Sequence, residues 1–420
     1  MKKTIYLFVG AVTMLLAFSS CKQSAADDTL PFSTLSVQGQ KQSIEQNGLD
    51  LVDKVDAMQN TTAMVALKAF SNNGGSTVSF VKPLSQLRAN LLRNDAKAVE
   101  TFSQQMKVAA VLADGQWGTY TWNQSIKDFN FVKGVNYSAT ILFPATENSL
   151  VNTGEIKILY VESAVKAPDT NPVQYMPTSM SLVLKVSGTT ALTFNFAGAY
   201  KSDATPTSVT QTIAIDKYNW SIAFTNNDVD VSTKYAFTYN QSVLLKLEIG
   251  AAGSLTATNI QNNMGENPEK VLSSGAVLFQ VMNIAMKGSI NDFKSFAAEA
   301  KASKPDSVIH NGTYGKWTEY LYNKAYSDRN STIVNKYFKI YGYFANESKK
   351  FADIEFYTTE NTYYGYTYNS TTGQYQYGPK TDYSVEPRFV LSDGSKVAIE
   401  DYASIGFQTL IDKINSYMPN

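Results

Sequence analysis

The sequence predicts an α+β protein with segregated elements: an N-terminal helical segment, a large antiparallel β meander, sandwich or barrel, and a mixed Tyr-rich β region closed by a C-terminal helix. Three observations carry that expectation. Apolar residues recur at a period near 3.6 over residues 43 to 108, and the period changes to 2 from Trp117 to Thr258. The composition is also aromatic, with 26 Tyr and 22 Phe but only 17% charged residues, which favours pleated, half-buried surfaces where a Tyr ring packs and its hydroxyl reaches water.

The chain opens on Met1-Lys2-Lys3, an apolar run from Ile5 to Phe18, then Ser19, Ser20 and Cys21. A basic start, an apolar stretch and small residues before a cut are the parts of a secretory signal, so residues 1–20 are read as one. Cys21 is the only cysteine. With no second thiol to pair with, it is read as the lipid-modified first residue of the mature chain. Leu16-Ala17-Phe18-Ser19-Ser20-Cys21 resembles a relaxed lipobox, and Cys21-Lys22-Gln23-Ser24-Ala25-Ala26-Asp27-Asp28 resembles the post-cysteine segment of Bacteroidetes-type surface lipoproteins. That resemblance implies an outer-membrane protein, anchored by acyl chains on Cys21 and facing the exterior. Acyl chains contribute about 0.8 kcal/mol per buried CH₂, and no later apolar run approaches the roughly 20 residues that span a bilayer.

Residues 21–40 are small and polar and read as a flexible tether, with order expected near Ser43. Ile44, Leu51, Val52, Val55 and Met58 keep helical spacing. Asn60, Thr61 and Thr62 offer caps for a second helix holding Met64, Leu67 and Phe70, which Asn73 to Gly75 stop. A third helix is expected from Pro83, with Leu84, Leu87, Leu91, Ala98, Phe102 and Met106. About ten strands follow to Thr258. Met180, Leu182, Leu184 and Val186 alternate with polar neighbours, Leu192, Phe194 and Phe196 resume after Ser187-Gly188-Thr189, and further alternating runs continue to Ile249. Short polar turns and no helical crossover predict purely antiparallel pairing.

Residues 261–270 read as a linker, dividing residues 41–265, helices followed by an antiparallel β domain, from residues 266–420, an α+β Tyr-rich domain. Beyond the linker come a β-like run with Leu278, Met282, Ile284 and Met286, and a short helix capped by Asn291 with Phe293, Phe296 and Ala300. Tyr-rich strands are expected from 314 to 400, with a hairpin turn at Asp393-Gly394, because Asp-Gly adopts positive φ readily. The last helix has the stripe Phe407, Leu410, Ile411, Ile414 and Tyr417.

Charge and chemistry exclude several classes. Removing residues 1–20 takes away Lys2 and Lys3 and no acid, leaving 34 basic and 36 acidic residues and a net charge of −2. No basic cluster is present to neutralise phosphates, so nucleic acid is not an expected partner. One Cys and one His, Cys21 and His310, exclude a soft-metal site, and no cofactor is expected. His310 lacks a G-x-S-x-G or H-E-x-x-H companion and reads as a loop residue, so no catalytic residue is assigned. A carboxylate-dependent glycoside hydrolase remains an alternative, because it needs only two acids; Glu319, Glu355 and Glu360 lie among aromatics. Asn226-Asn227-Asp228-Val229-Asp230 alternates oxygen ligands but reads more simply as a turn than as a calcium loop.

The strongest candidate is aromatic. Strand alternation places Tyr364, Tyr366 and Tyr368 on one face, and a hairpin through Asn369 to Gly373 brings Tyr375 and Tyr377 across from them. A flat row of phenols beside amides suits a sugar ring, whose C–H face packs on an aromatic while its hydroxyls find polar edges. The plainer reading is a Tyr ladder that stabilises the hairpin. The expected function is a non-catalytic surface protein binding an extracellular ligand, glycan foremost; the alternative is a structural or adhesive component meeting other surface proteins through strand edges.

Overall fold

The computed structural model describes residues 30–73, 117–167, 175–303, 316–369, 372–404 and 406–417. The signal, Cys21, the helix expected from Pro83 and His310 lie outside the described residues. The chain is mostly β and divides into two compact units, one of residues 48–226 and 233–247, the other holding residues 227–232 and 248–420 with the chain up to 47.

In the first unit, α2 (Thr62–Asn72) follows α1 (Val37–Met58) and buries Met64, Leu67 and Phe70 as its spacing predicted. Thr61 is the N-cap by position, but its hydroxyl donates back to the Met58 carbonyl at 2.9 Å instead of accepting from the helix. Eight strands follow: β1 (Gly118–Asn123), β2 (Asp128–Lys133), β3 (Ser138–Phe143), β4 (Gly154–Lys166), β5 (Tyr175–Val186), β6 (Thr189–Tyr200), β7 (Pro206–Ile215) and β8 (Tyr218–Asn226). Their order is β2-β1-β3-β4-β5-β6-β7-β8. This is the expected meander, linear and therefore not a barrel. Where a sandwich would stack a second sheet, α2 packs against β5 and β6 instead.

Register explains the alternation in the sequence. Ile156, Leu184, Leu192, Ile215 and Tyr218 stand opposite one another in turn across five strands, and Ile158, Leu182, Phe194, Ile213 and Trp220 form the next row. All ten are buried. Cross-strand neighbours of this kind contribute roughly 0.2 to 1 kcal/mol each, so the rows hold the strands in register as well as burying apolar area. The β5–β6 hairpin turns through Ser187 and Gly188, both at positive φ, the geometry whose twist suits a tight hairpin.

The expectation of purely antiparallel pairing fails at one place, where β1 pairs with β3 in parallel. The chain leaves β2 and crosses the start of β1 without a helix, which is sterically allowed because two glycines meet there. A Cβ on Gly118, which sits at φ 155°, would lie 2.1 Å from the Val132 carbonyl oxygen, and one on Gly134 would lie 2.9 Å from the Gly118 Cα. The Gly134 N–H donates to the Trp117 carbonyl and locks the crossing. Strands β9 (Asp230–Tyr239) and β10 (Ser242–Gly253) follow, and in the first unit Phe237 stacks on Trp220 at 4.4 Å.

In the second unit, order begins well before Ser43. The Ser33 N–H donates to the Lys350 carbonyl, the Lys350 N–H to the Pro31 carbonyl, and the Ser36 hydroxyl accepts from Gly39 N to start α1 at Val37. The end of the predicted tether is thus structured, because Ser36 supplies a cap. The expected linker, residues 261–270, begins inside α3 (Ala257–Asn263) and ends on a 3-10 turn at Pro268–Lys270, the two tied together by the Asn259 amide, which donates to both the Ser254 and Lys270 carbonyls. β11 (Leu272–Val281) and β12 (Ile284–Ile290) form the expected β run, with Met282 at the turn (φ 52°). The cap of α4 (Phe293–Ala302) is Asp292, one residue past the expected Asn291; its carboxylate accepts from Ser295 N at 2.9 Å.

The largest correction is α5 (Lys316–Tyr337), which occupies the first part of the stretch read as strands. Tyr, Trp and Thr argued for β, but no Gly or Pro interrupts residues 316–341. Within the helix, Ser331 and Thr332 hydroxyls both donate to the Asp328 carbonyl, and Lys324 pairs with Asp328 four residues on. Beyond it come β13 (Phe338–Phe344), β14 (Lys349–Asn369), β15 (Gln374–Val390) and β16 (Lys396–Ala398), in the order β11-β12-β13-β14-β15-β16. The Asp393-Gly394 hairpin forms as expected, with Gly394 at φ 80°. Finally α6 (Ile399–Ser404) and α7 (Gln408–Tyr417) close the chain, the Glu45 carboxylate accepting from the Thr409 and Leu410 N–H groups at the start of α7.

Candidate functional site

Strands β14 and β15 are far longer than their neighbours, and that difference builds the site. β13 pairs with β14 only between Lys349 and Asp353, and β16 pairs with β15 only between Arg388 and Val390, whereas β14 and β15 pair with each other from Asp353↔Val390 to Asn369↔Gln374. Most of the pair is therefore a two-stranded ribbon. Its base is fixed by buried Phe351, Phe356, Tyr383 and Phe389. The Asn335 amide of α5 docks on the strand edge like one more residue of sheet, donating to the Phe356 carbonyl and accepting from the Phe356 N–H, both at 2.7 Å.

Register places the predicted tyrosines as the alternation required. Tyr364 stands opposite Pro379, Tyr366 opposite Tyr377, and Tyr368 opposite Tyr375. The Tyr377 ring lies 5.0 Å from Tyr366 and 5.9 Å from Tyr364. Tyr364, Tyr366, Tyr375 and Tyr377 are 63 to 70% exposed. Tyr368 belongs to this face by its backbone, and its side chain lies outside those described. The rings thus form a cross-strand ladder that nevertheless leaves most of each phenol in water.

Where α5 lies against the ribbon base is a polar groove of about 580 Å³, lined by Lys324, Asp328, Ser331, Thr332 and Asn335 of the helix and by strand residues including Glu355, Tyr357, Thr358, Glu360, Tyr383 and Arg388. Glu355 accepts from Lys396 at 2.8 Å and Arg388 at 3.0 Å, and these two cations hold its carboxyl below the usual carboxylate range. Arg388 also lies 4.5 Å over the Tyr357 ring. Lys324, 2.8 Å from Asp328, likewise lowers that carboxyl. The Tyr383 hydroxyl donates to Glu360 at 3.3 Å. Both shifted acids are thus stabilised as carboxylates, the opposite of what a proton-donating general acid needs. Glu355 and Glu360 also leave opposite faces of β14, five residues apart on a strand. Glu319 lies on α5, not on a strand, and its side chain is outside those described.

The groove was not legible in the sequence, because its helical wall was read as strand. The spacing of Lys324 and Asp328 on a stretch free of Gly and Pro was the available signal. The candidate calcium segment is a turn: the Asn227 side-chain oxygen accepts from Val229 N and Asp230 N, which occupies the oxygen a metal would need. Among the described residues no cluster of three His, Cys, Asp or Glu side chains is placed to hold a metal, and no helix is long and apolar enough to cross a membrane. The sequence matches no protein-family model, and neither the curated proteins nor the solved structures contain a significant match to it.

Proposed function

We propose that this chain is a non-catalytic surface lipoprotein, anchored in the outer membrane through Cys21, whose body captures an extracellular glycan on the tyrosine face of the β14–β15 ribbon. One observation carries the reading: Tyr364, Tyr366, Tyr375 and Tyr377 share a face of the ribbon and are each 63 to 70% exposed. A ladder that served stability alone would gain most by burying its rings; here exposed phenols keep both a flat apolar surface and a hydroxyl at its edge. The test is a glycan-array screen of the soluble Cys21→Ser chain. Binding to a restricted set of glycans, lost on substituting the face, supports the reading, and a silent array contradicts it.

A second reading has its own observation. Beyond Asp353, β14 has only β15 as a strand partner among the described residues, and Tyr357 to Asn369 contains no Lys, Arg or Pro and no register shift. Such guards normally blunt an exposed edge. A silent array together with concentration-dependent association of the chain favours the adhesive role.

A further inference from the structure

The tyrosine row continues into the part of the groove that Glu360 and Tyr383 line. Side chains of a strand alternate, so Phe356, Thr358, Glu360, Thr362, Tyr364 and Tyr366 leave the same side of β14, and register puts Tyr383, Tyr377 and Tyr375 of β15 on that side too. Glu360 and Tyr383 line the groove beside Asp328 and Lys324 of α5. From the Glu360↔Tyr383 pair to the Tyr368↔Tyr375 pair is eight residues along β14, about 26 Å at strand rise and room for roughly five sugar rings.

We propose, resting on the glycan reading above, that the row and the groove form one track for a linear, neutral oligosaccharide. The exposed rings stack on successive sugars, and the groove receives one end of the chain, where Glu360 and Asp328 accept hydrogen bonds from its hydroxyls. Both acceptors are held in place from the protein side, Glu360 by the Tyr383 hydroxyl and Asp328 by Lys324. Charge selects a neutral chain. On the tyrosine side the groove carries two acids, Asp328 and Glu360, against one cation, Lys324, while Glu355 and Arg388 leave the other side of the ribbon. Lys324 already faces Asp328 at 2.8 Å, so a uronic acid would meet repulsion without a new partner.

The test is calorimetric titration of the soluble full-length chain with malto- and cello-oligosaccharide ladders of two to eight sugars, and with an oligogalacturonate ladder. Affinity for at least one neutral ladder should rise with length and level off near five or six sugars. Glu360→Gln and Asp328→Asn, which preserve shape, should each weaken the longest chains about ten-fold and leave two-sugar ligands unchanged. Three results overturn the track and spare the tyrosine face: two sugars binding as tightly as six, long chains indifferent to both groove variants, or oligogalacturonate outbinding the neutral ladders. Absence of binding to every ladder, with an array also silent, removes the track and the glycan reading together.

Discussion

Replacing Tyr366 and Tyr377 together with Ala separates a binding face from a structural ladder, because the two roles place the cost on different quantities. The two residues stand opposite each other with rings 5.0 Å apart, and Tyr377 also reaches Tyr364 at 5.9 Å. Removing both rings therefore deletes two aromatic contacts, each contributing roughly 0.2 to 1 kcal/mol across strands. Each ring is about two-thirds exposed, so little buried area goes with them. The stability cost should total about 0.4 to 2 kcal/mol and fall on the ribbon, beyond the strands that β13 and β16 support. If sugars stack on both rings, binding loses about 1.4 kcal/mol per ring, close to 100-fold in Kd for the pair. Thermal melts and calorimetric titration of the same preparations measure both quantities. The Tyr366→Phe, Tyr377→Phe pair is the control, since it keeps the stacking surface and should retain most of the affinity. A double Ala variant that melts lower yet binds glycan within two-fold of the parent refutes the face and leaves a ladder.

Four further outcomes follow from particular contacts. Cys21→Ser should abolish lipid labelling and move the protein from the membrane to the soluble fraction; pelleting of the variant with outer membranes in high salt would contradict the anchor. Gly118→Ala should lower stability by about 3 kcal/mol or more, since its Cβ would lie 2.1 Å from the Val132 carbonyl oxygen at a φ that side chains avoid, and an unchanged melting curve would mean that the crossing relaxes freely. Asn335→Ala leaves the Phe356 N–H and carbonyl without their 2.7 Å partners and should cost about 1 to 3 kcal/mol, read by denaturant unfolding; Asn335→Asp, which keeps only the acceptor, should recover part of it. The Glu355 carboxyl is held below its ordinary value of 4.5 by Lys396 and Arg388. Its ion pairs therefore stabilise the fold above that value and lose their effect as pH falls through the lower folded value, so the difference between parent and Glu355→Gln melts should shrink in acid.

Where the physics is local, the sequence was readable. The rows through Leu182 and Leu184 were visible because one face of each strand is buried and the period is strictly 2, and the Tyr hairpin was visible because register follows from a short turn between two alternating runs. The Asp393-Gly394 turn needed only its positive φ. The misreadings share another cause. The parallel β1–β3 contact depends on Gly118 and Gly134 meeting across the chain, a tertiary close approach with no local pattern. Helix α5 carries residues of good β propensity, and what makes it helical is the absence of breakers together with contacts to β14 and β15 that no window of sequence contains. The groove was hidden for the same reason, as half of it hangs on that helix. The start of α1 was missed by six residues because a single cap, Ser36, outweighed a polar composition that read as tether.

Tyrosine-selective nitration read by mass spectrometry, with and without the tightest-binding oligosaccharide, tests the tyrosine face most directly. Tyr364, Tyr366, Tyr375 and Tyr377 are among the most exposed phenols of the described chain, so each should nitrate readily in the free protein. Saturating ligand should protect these four and leave the buried Tyr218 and Tyr235 as slow as before. Unchanged nitration of the four rings in a protein shown by calorimetry to be saturated would put the ligand elsewhere and contradict the assignment of this face as the binding surface.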